Sequence, residues 1–491
     1  MSTSTCLRLG VSAVLLALSA CTVGPDFRRP ATPAAMASFA SADAAQPGTP
    51  PSRTEARPLD PSWWTLFNDA TLAGLEREAL AANLDLQAAA ARLAQSRAAL
   101  QVSGAGLLPS VSAGLSHTRQ RASEQGPNAL AGKSAASPFG LTQAGFDASW
   151  ELDLWGRARR QREAAAAEVD AAWFDAAAMR VSMTAEVARV YLELRGVQND
   201  LRVARSNAEI AAKSLHVAER RLSQGVATEF DTSVSRAQLA SFEAAIPELE
   251  GRRDAHMNAL ALLLGKPPRA LDAQLSAAAP LPGLPARVPV GLPSELAHRR
   301  PDILRAEARL HAATAAIGAA QAGFYPSVSL NGSFGFQALS ASHLGDWGAR
   351  QFALGPVLHL PIFEGGRLKG NLALTEARQQ EAAIGYQQTV LAAWHEVDDA
   401  LSAYRRVQQR ADRLDVAVEE NRKALNHAER RYAQGAADYL DVLVTQQRLL
   451  DSENAASRGR TETALAMVVL YKALGGGWDA AQAAGAPAAA R

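Results

Sequence analysis

The chain has 491 residues, a formal net charge of +1 and only 20% charged side chains, so nothing in its electrostatics supports binding to a nucleic acid polyanion. Its two cysteines, Cys6 and Cys21, both lie near the N-terminus, which leaves no disulfide framework and no cysteine metal site in the body of the chain. Aromatics make up 6% and alanine is abundant, a composition that favours long helices in close approach.

In chain order, Arg8 precedes an apolar run over residues 9–18, too short to span a bilayer and of the length of a signal h-region. It ends in Leu18-Ser19-Ala20-Cys21, which resembles a bacterial lipobox. Residues 1–20 are therefore expected to be a signal peptide and Cys21 an acylated N-terminus carrying N-acyl and diacylglycerol lipid. The alternative is a plain secretory signal cut after Ala20. Thr22 stands where an aspartate would retain a lipoprotein in the inner membrane, which favours the outer membrane. Residues 21–60 read as a lipid-anchored tether without apolar period.

A first unit is expected over 61–280. It opens on Trp63-Trp64 with Phe67 and Asp69, and a helical pattern follows over 72–100 that Pro109 stops. The period then changes from about 3.6 to 2. Strands are expected at about 108–118 and 143–155. In the second, Ala144, Phe146, Ala148, Trp150 and Leu152 alternate with Gln143, Gly145, Asp147, Ser149 and Glu151. A helical hairpin follows over about 157–264, with its tip at 224–231 and a bend expected at Pro247. After a Pro-rich connector at 281–293, a second unit over 294–475 repeats the order. Its strands are expected at about 326–337 and 351–363, and its hairpin over about 365–474 with the tip at 434–441. Residues 476–491 read as a loose tail.

The two units are copies. ERRLSQGVATEFD at 219–231 returns as ERRYAQGAADYLD at 429–441, and Val234, Leu239 and Leu264-Gly265 match Val444, Leu449 and Leu474-Gly475 at the same offset of 210. Each tip places a glycine, Gly225 or Gly435, where a helix C-terminus takes a left-handed residue. Heptad-like steps such as Val190, Leu194, Val197 and Leu201 run through the long helices, which at 1.5 Å per residue form rods of about 100 Å.

Four strands with one oily and one wet face fit either a membrane sheet or the buried face of a soluble sheet. Aromatics at strand ends, Trp150, Trp155, Tyr325, Phe352 and Phe363, favour the membrane. Unpaired strand edges are costly in hydrocarbon, so two, three or four copies would have to share one barrel. A strand tube continued by a helix tube is a conduit.

Several motifs carry a resemblance over nearly the whole mature chain. They are Cys21-Thr22-Val23-Gly24-Pro25-Asp26-Phe27 with Pro30, the Trp63-Trp64 segment, Leu292-Pro293-Ser294-Glu295-Leu296, Arg299-Arg300-Pro301-Asp302-Ile303 and Phe324-Tyr325-Pro326-Ser327. With them the chain resembles the TolC-like outer-membrane factors of tripartite efflux pumps, in their lipoprotein (NodT-type) branch. The resemblance implies a mainly α chain with a small transmembrane β portion. Three chains would form a twelve-stranded β-barrel continued by an α-helical barrel. It also implies a periplasmic adaptor, an inner-membrane pump of the resistance-nodulation-division class and surrounding outer-membrane lipid as partners. The duct of a type I secretion system is the related alternative. Carried over by position, the adaptor-contact tips are Gln224, Gly225, Val226, Gln434, Gly435 and Ala436. The periplasmic constriction is expected at Leu440, Val444 and Gln447, with Asp438 and Asp441 beside it. Family members commonly place aspartate at position 444, so an apolar plug is expected here. Asp438 and Asp441 also read as helix N-terminal charges that complement the macrodipole.

Catalytic motifs are missing. Gly104-Ala105-Gly106 precedes a strand and lacks a third glycine, Gly265-Lys266 has no phosphate loop, and His395-Glu396 lacks the second histidine of a zinc helix. No enzyme activity, cofactor or metal is expected. The competing reading from another class is a lipid-anchored coiled-coil envelope scaffold that conducts nothing.

Overall fold

The computed structural model describes residues 22–30, 53–55, 57, 59–121, 123, 137–291 and 299–479. Residues 1–20, expected to be a signal peptide, and Cys21 lie outside the described residues. Strand β1 (Arg53–Glu55) is followed by helices α1 (Ala70–Ala82) and α2 (Leu84–Ala105), strands β2 (Ser110–Gln120) and β3 (Phe139–Leu152), and helices α3 (Arg157–Ser223), α4 (Glu229–Leu263) and α5 (Asp272–Leu275). The second half holds β4 (Arg287–Pro289), α6 (Pro301–Ala322), β5 (Ser327–Ala338), β6 (Arg350–His359), α7 (Arg367–Ala433) and α8 (Tyr439–Ala473). The internal repeat is visible in the lengths: α3 and α7 each have 67 residues, α4 and α8 each 35. Among the described residues no helix is long and apolar enough to cross a membrane.

The helical pattern expected over 72–100 is two helices. Asn83 takes an extended backbone conformation and its side-chain oxygen accepts from the Asp85 and Leu86 amides, which starts α2 afresh. The same side chain donates to the Leu263 carbonyl at 2.8 Å, so the start of α2 meets the end of α4. In the second copy Arg300, just before α6, donates to the Ala473 carbonyl at 2.7 Å. Leu263 and Ala473 are 210 positions apart, so both copies cap the last carbonyl of the returning helix from the helix stacked on it, one with an amide and one with a cation. Arg300 is nearly buried and also pairs with Asp302 at 2.6 Å and Glu396 at 2.8 Å. Arg300→Ala leaves that carbonyl and both carboxylates short of a donor, a loss of about 1–3 kcal/mol. A thermal melt should show a larger drop for it than for Asn83→Ala.

The long helix α3 packs on α2 and α4 and, on its other side, on α6 and α8, while α7 packs on α6 and α8. Helix α4 runs unbroken through Pro247. The main core lies midway along the rods, where Trp63, Leu72, Leu75, Tyr191, Leu260 and Tyr471 are all fully buried. Trp63 stacks on Tyr471 with centroids 5.1 Å apart. Asp69 starts α1 by accepting from the Leu72 amide and also accepts from the Tyr191 hydroxyl at 2.7 Å. Burial, then this bond to Asp69, pushes the Tyr191 phenol up to about 12.

Glu76 is fully buried, and neither carboxylate oxygen has a hydrogen-bond partner. Burial holds its carboxyl well above the usual carboxylate range. The folded chain therefore binds a proton that the unfolded chain releases, and this site loses stability as pH rises from the unfolded value toward the folded one. Glu76→Met should raise the melting temperature at neutral pH. The gain should shrink as pH falls to about 4, near the ordinary carboxylate value.

Two sequence expectations are corrected by long-range packing. Part of the stretch read as a tether is strapped to the rods. The Val23 amide donates to the Trp155 carbonyl at 3.1 Å, Arg160 pairs with Asp26 at 2.7 Å, Phe27 stacks on His311 at 4.4 Å, and β1 pairs in parallel with β4 in the connector. The start of the expected loose tail is packed as well. Trp478 is buried against Val181 and Leu304, and its indole donates to the Arg299 carbonyl at 3.0 Å.

The four long strands form one antiparallel sheet in the order β2-β3-β5-β6. The strand expected at 143–155 runs Phe139–Leu152, and the one expected at 351–363 runs Arg350–His359, ended by Pro361 and the paired glycines Gly365 and Gly366. Register aligns the oily residues on one side. Ala113 faces Phe146, Phe146 faces Phe334, Phe334 faces Phe352, and Val328 faces Leu358. These apolar side chains include many of the exposed large ones, such as Phe146, Phe334, Phe352 and Leu358.

Candidate functional site

The other side of the sheet is wet. Ser112, Asp147, Ser149, Asn331 and Ser333 line one hollow, and Ser149 donates to Asn331 at 2.8 Å. Across its middle Gly114 faces Gly145, which faces Gly335. There the backbones approach so closely that a Cβ on Gly335 would lie 2.5 Å from the Ala144 oxygen and 2.7 Å from the Gly145 Cα. Only glycine, with no side chain to intrude, permits this close approach of the strands. At the helix end Trp155 stacks on Tyr325 with centroids 4.7 Å apart and donates to the Pro326 carbonyl at 2.7 Å. Trp150 donates to the Leu107 carbonyl at 3.1 Å. Their polar atoms face backbone while the rings stay apolar, as at a membrane interface.

The two hairpin tips lie together at the far end of the rods. Gly225 (φ 75°) and Gly435 (φ 74°) follow α3 and α7 in the left-handed region that favours glycine. Each completes the same pair of closing bonds: Val226 to Arg221 and Gly225 to Leu222 in one, Ala436 to Arg431 and Gly435 to Tyr432 in the other. Gln224 and Gln434 are the C-caps, and Val226 is exposed.

The tips differ in how the next helix starts. Thr228 and Asp231 form a reciprocal capping box: the Thr228 amide and hydroxyl both donate to the Asp231 carboxylate at 2.8 Å, and the Asp231 amide returns to the Thr228 hydroxyl at 3.3 Å. These bonds hold the Asp231 carboxyl below the usual range. In the second tip Asp438 is the N-cap without a side-chain cap bond, and Asp441 sits in the first turn, exposed. Both therefore occupy helix N-terminal positions, where negative charge complements the macrodipole.

On α8, Val442, Leu443, Gln446 and Leu449 face neighbouring helices and are buried. Leu440 (53% exposed) and Val444 (44% exposed) lie on the opposite stripe, with Asp451 exposed below them. Gln447 lies on the edge of that stripe, accepting from Gln238 at 3.5 Å and donating to Asp451 at 3.0 Å. The predicted constriction residues are thus one apolar-to-polar line left uncovered by their own chain.

Sequence reasoning missed a clamp between the tips. The Arg221 guanidinium lies over the Tyr432 ring at 4.9 Å, and Tyr432 meets Tyr439 at 5.4 Å. The Tyr439 hydroxyl donates to the Ser214 carbonyl at 3.3 Å. A signal for it was present, since Tyr432 and Tyr439 stand where the first copy has Leu222 and Glu229. Among the described residues no group of His, Cys, Asp and Glu could hold a metal ion.

Comparison with known proteins agrees with this geometry. OprJ, an outer membrane protein of Pseudomonas aeruginosa, is 34% identical over 473 residues, which is 96% of each chain. TtgF, a toluene efflux pump outer membrane protein of Pseudomonas putida, is 33% identical over 474 residues, 95% of this chain and 96% of that one. The solved outer-membrane channel OprN superposes with a TM-score of 0.86 at 34% identity and covers 93% of this chain and all of its own. The family model described as outer membrane efflux protein matches residues 75–266 and 292–476, the two copies of the repeat. A duplicated rod-and-strand chain that presents an oily sheet at one end and paired tips at the other, and that matches this model through both halves, belongs to the outer membrane efflux protein family.

Proposed function

We propose that three copies of the chain close head to tail into a twelve-stranded barrel continued by a helical tunnel, which conducts small molecules, drugs among them, outward through the outer membrane. The chain is an outer-membrane exit channel of a tripartite efflux system, with its rods in the periplasm. One observation carries the closure: the sheet and the helical layer end on the same two flanks. Strand β2 is free on the flank where α2 and α4 lie, and β6 is free on the flank of α7. A copy rotated about the tunnel axis offers its β6 and α7 to the next copy's β2 and α2/α4. Every strand edge in hydrocarbon is then paired. Exposed Leu374, Ile384 and Leu391 on α7 and Leu84 and Val102 on α2 supply apolar area for that seam. At the tips, Gln224 to Val226 and Gln434 to Ala436 offer a surface to a periplasmic adaptor, behind which stands a pump of the resistance-nodulation-division class. Leu440, Val444 and Gln447 form the constriction.

The position of Thr22 supports lipid on Cys21. It touches Gly156 at the β3–α3 junction, beside the stacked Trp155 and Tyr325. The hydrogen bond from the Val23 amide to the Trp155 carbonyl holds Thr22 at this aromatic level. Cys21→Ser should lose metabolic acyl labelling and still fractionate with the outer membrane, because the barrel also anchors the chain. A wholly periplasmic, soluble Cys21→Ser chain would refute the barrel. The scaffold reading is tested by native mass spectrometry and planar-bilayer recording of the purified protein. Trimers that conduct are expected, and a complex of any size that never conducts would favour the scaffold.

A further inference from the structure

On the bilayer side of β6 the apolar residues Leu358, Leu354 and Phe352 end outward at Arg350, which faces Phe336 in register. Arg350 therefore sits one pleat repeat beyond Phe352, about 7 Å along the strand, on the oily side. Its guanidinium is poised rather than free to wander: it lies 4.5 Å from the Trp347 ring centroid and donates to the Trp347 carbonyl at 2.7 Å. The neighbouring acid, Asp346, is engaged by His343 at 2.8 Å, and no carboxylate pairs with Arg350 among the described residues. Trp347 is 70% exposed and Phe352 77% exposed.

The opposite free edge carries a matching charge. On β2 the face that holds Val111, Ala113 and Leu115 continues to His117 and Arg119 at the outer end, where Arg119 faces Gly140. Arg119 is exposed and has no ion-pair partner among the described residues. Closure of the barrel sets β2 of one copy beside β6 of the next, so both arginines come to one seam at the outer rim.

We propose that this seam binds the phosphate of an outer-leaflet lipid headgroup, with the acyl chains lying along Phe352 and Leu354. Guanidinium forks match phosphate oxygens in geometry and charge. An indole at the boundary between polar and apolar layers suits the glycerol or sugar level of a lipid. The inference rests on the proposed trimer, which supplies the seam.

The test uses the full-length trimer reconstituted in nanodiscs of equal parts phosphatidic acid and phosphatidylcholine. The lipid retained after mild detergent stripping is read by native mass spectrometry. Phosphatidic acid should be enriched over its bulk share, and Arg119→Gln and Arg350→Gln should each reduce that enrichment about fivefold, the effect of one arginine at an anionic surface. Arg350→Lys should keep most of it. Equal enrichment in wild type and the double glutamine variant would overturn the proposal. Displacement of the retained lipid by millimolar inorganic phosphate would overturn the lipid assignment in favour of a soluble anion. Trimer mass and conductance are recorded on the same samples. A sample that neither trimerises nor conducts refutes the duct reading, whereas a conducting trimer without lipid preference refutes this inference alone.

Discussion

Leu440→Ala combined with Val444→Ala is expected to raise single-channel conductance several-fold in planar bilayers, with the trimer intact. The stripe that holds these residues is the one face of α8 near the tip that its own chain leaves uncovered, while Val442, Leu443 and Gln446 are packed away. In the proposed trimer three such apolar pairs would come together, and an apolar ring resists wetting as well as narrowing the path. Truncation to alanine removes both barriers. Val444→Asp should instead leave a wetted ring that favours cations. Unchanged conductance in the double alanine variant, with trimers present, would place the constriction elsewhere.

The second large effect is expected in the sheet. Gly335→Val should abolish the folded trimer, read as loss of the heat-resistant band on gels. A Cβ there would lie 2.5 Å from the Ala144 oxygen and 2.7 Å from the Gly145 Cα, and these atoms belong to backbone that cannot swing aside. Overpacking of this kind costs about 1–3 kcal/mol in cores that can adjust, and more where backbone must move. Gly332→Ala is the matched control. Its added Cβ meets the flexible end of Leu354 at 3.3 Å, on the lipid side, so trimers should persist. Normal trimer yield for Gly335→Val would show that the sheet does not depend on the close approach at the glycine row.

The arithmetic of closure links the two effects. Sheet curvature sets how many copies surround the axis, and that number sets how close the stripes on α8 come at the far end of rods about 100 Å long. A change at Gly335 should therefore alter conductance in any assembly that survives, although the residue is far from the tip.

The amino-acid sequence by itself determined the repeat, the two hairpins, the strand faces and the tip glycines, because each is a local pattern. A helical or strand period shows within about a dozen residues, and a left-handed cap needs a glycine wherever it falls. Only the tertiary structure decided what depends on contacts far apart in the chain. Asn83 breaks an Ala-rich helix because its amide also caps α4, 180 residues away. The segment from Thr22 stays down because Arg160 and His311 hold it. Trp478 is buried because a cleft between Val181 and Leu304 is there to receive it. The Arg221, Tyr432 and Tyr439 clamp joins two tips that the sequence could describe singly but could not bring together. Periodicity records which face of an element is apolar; which partner covers that face is set when distant elements pack.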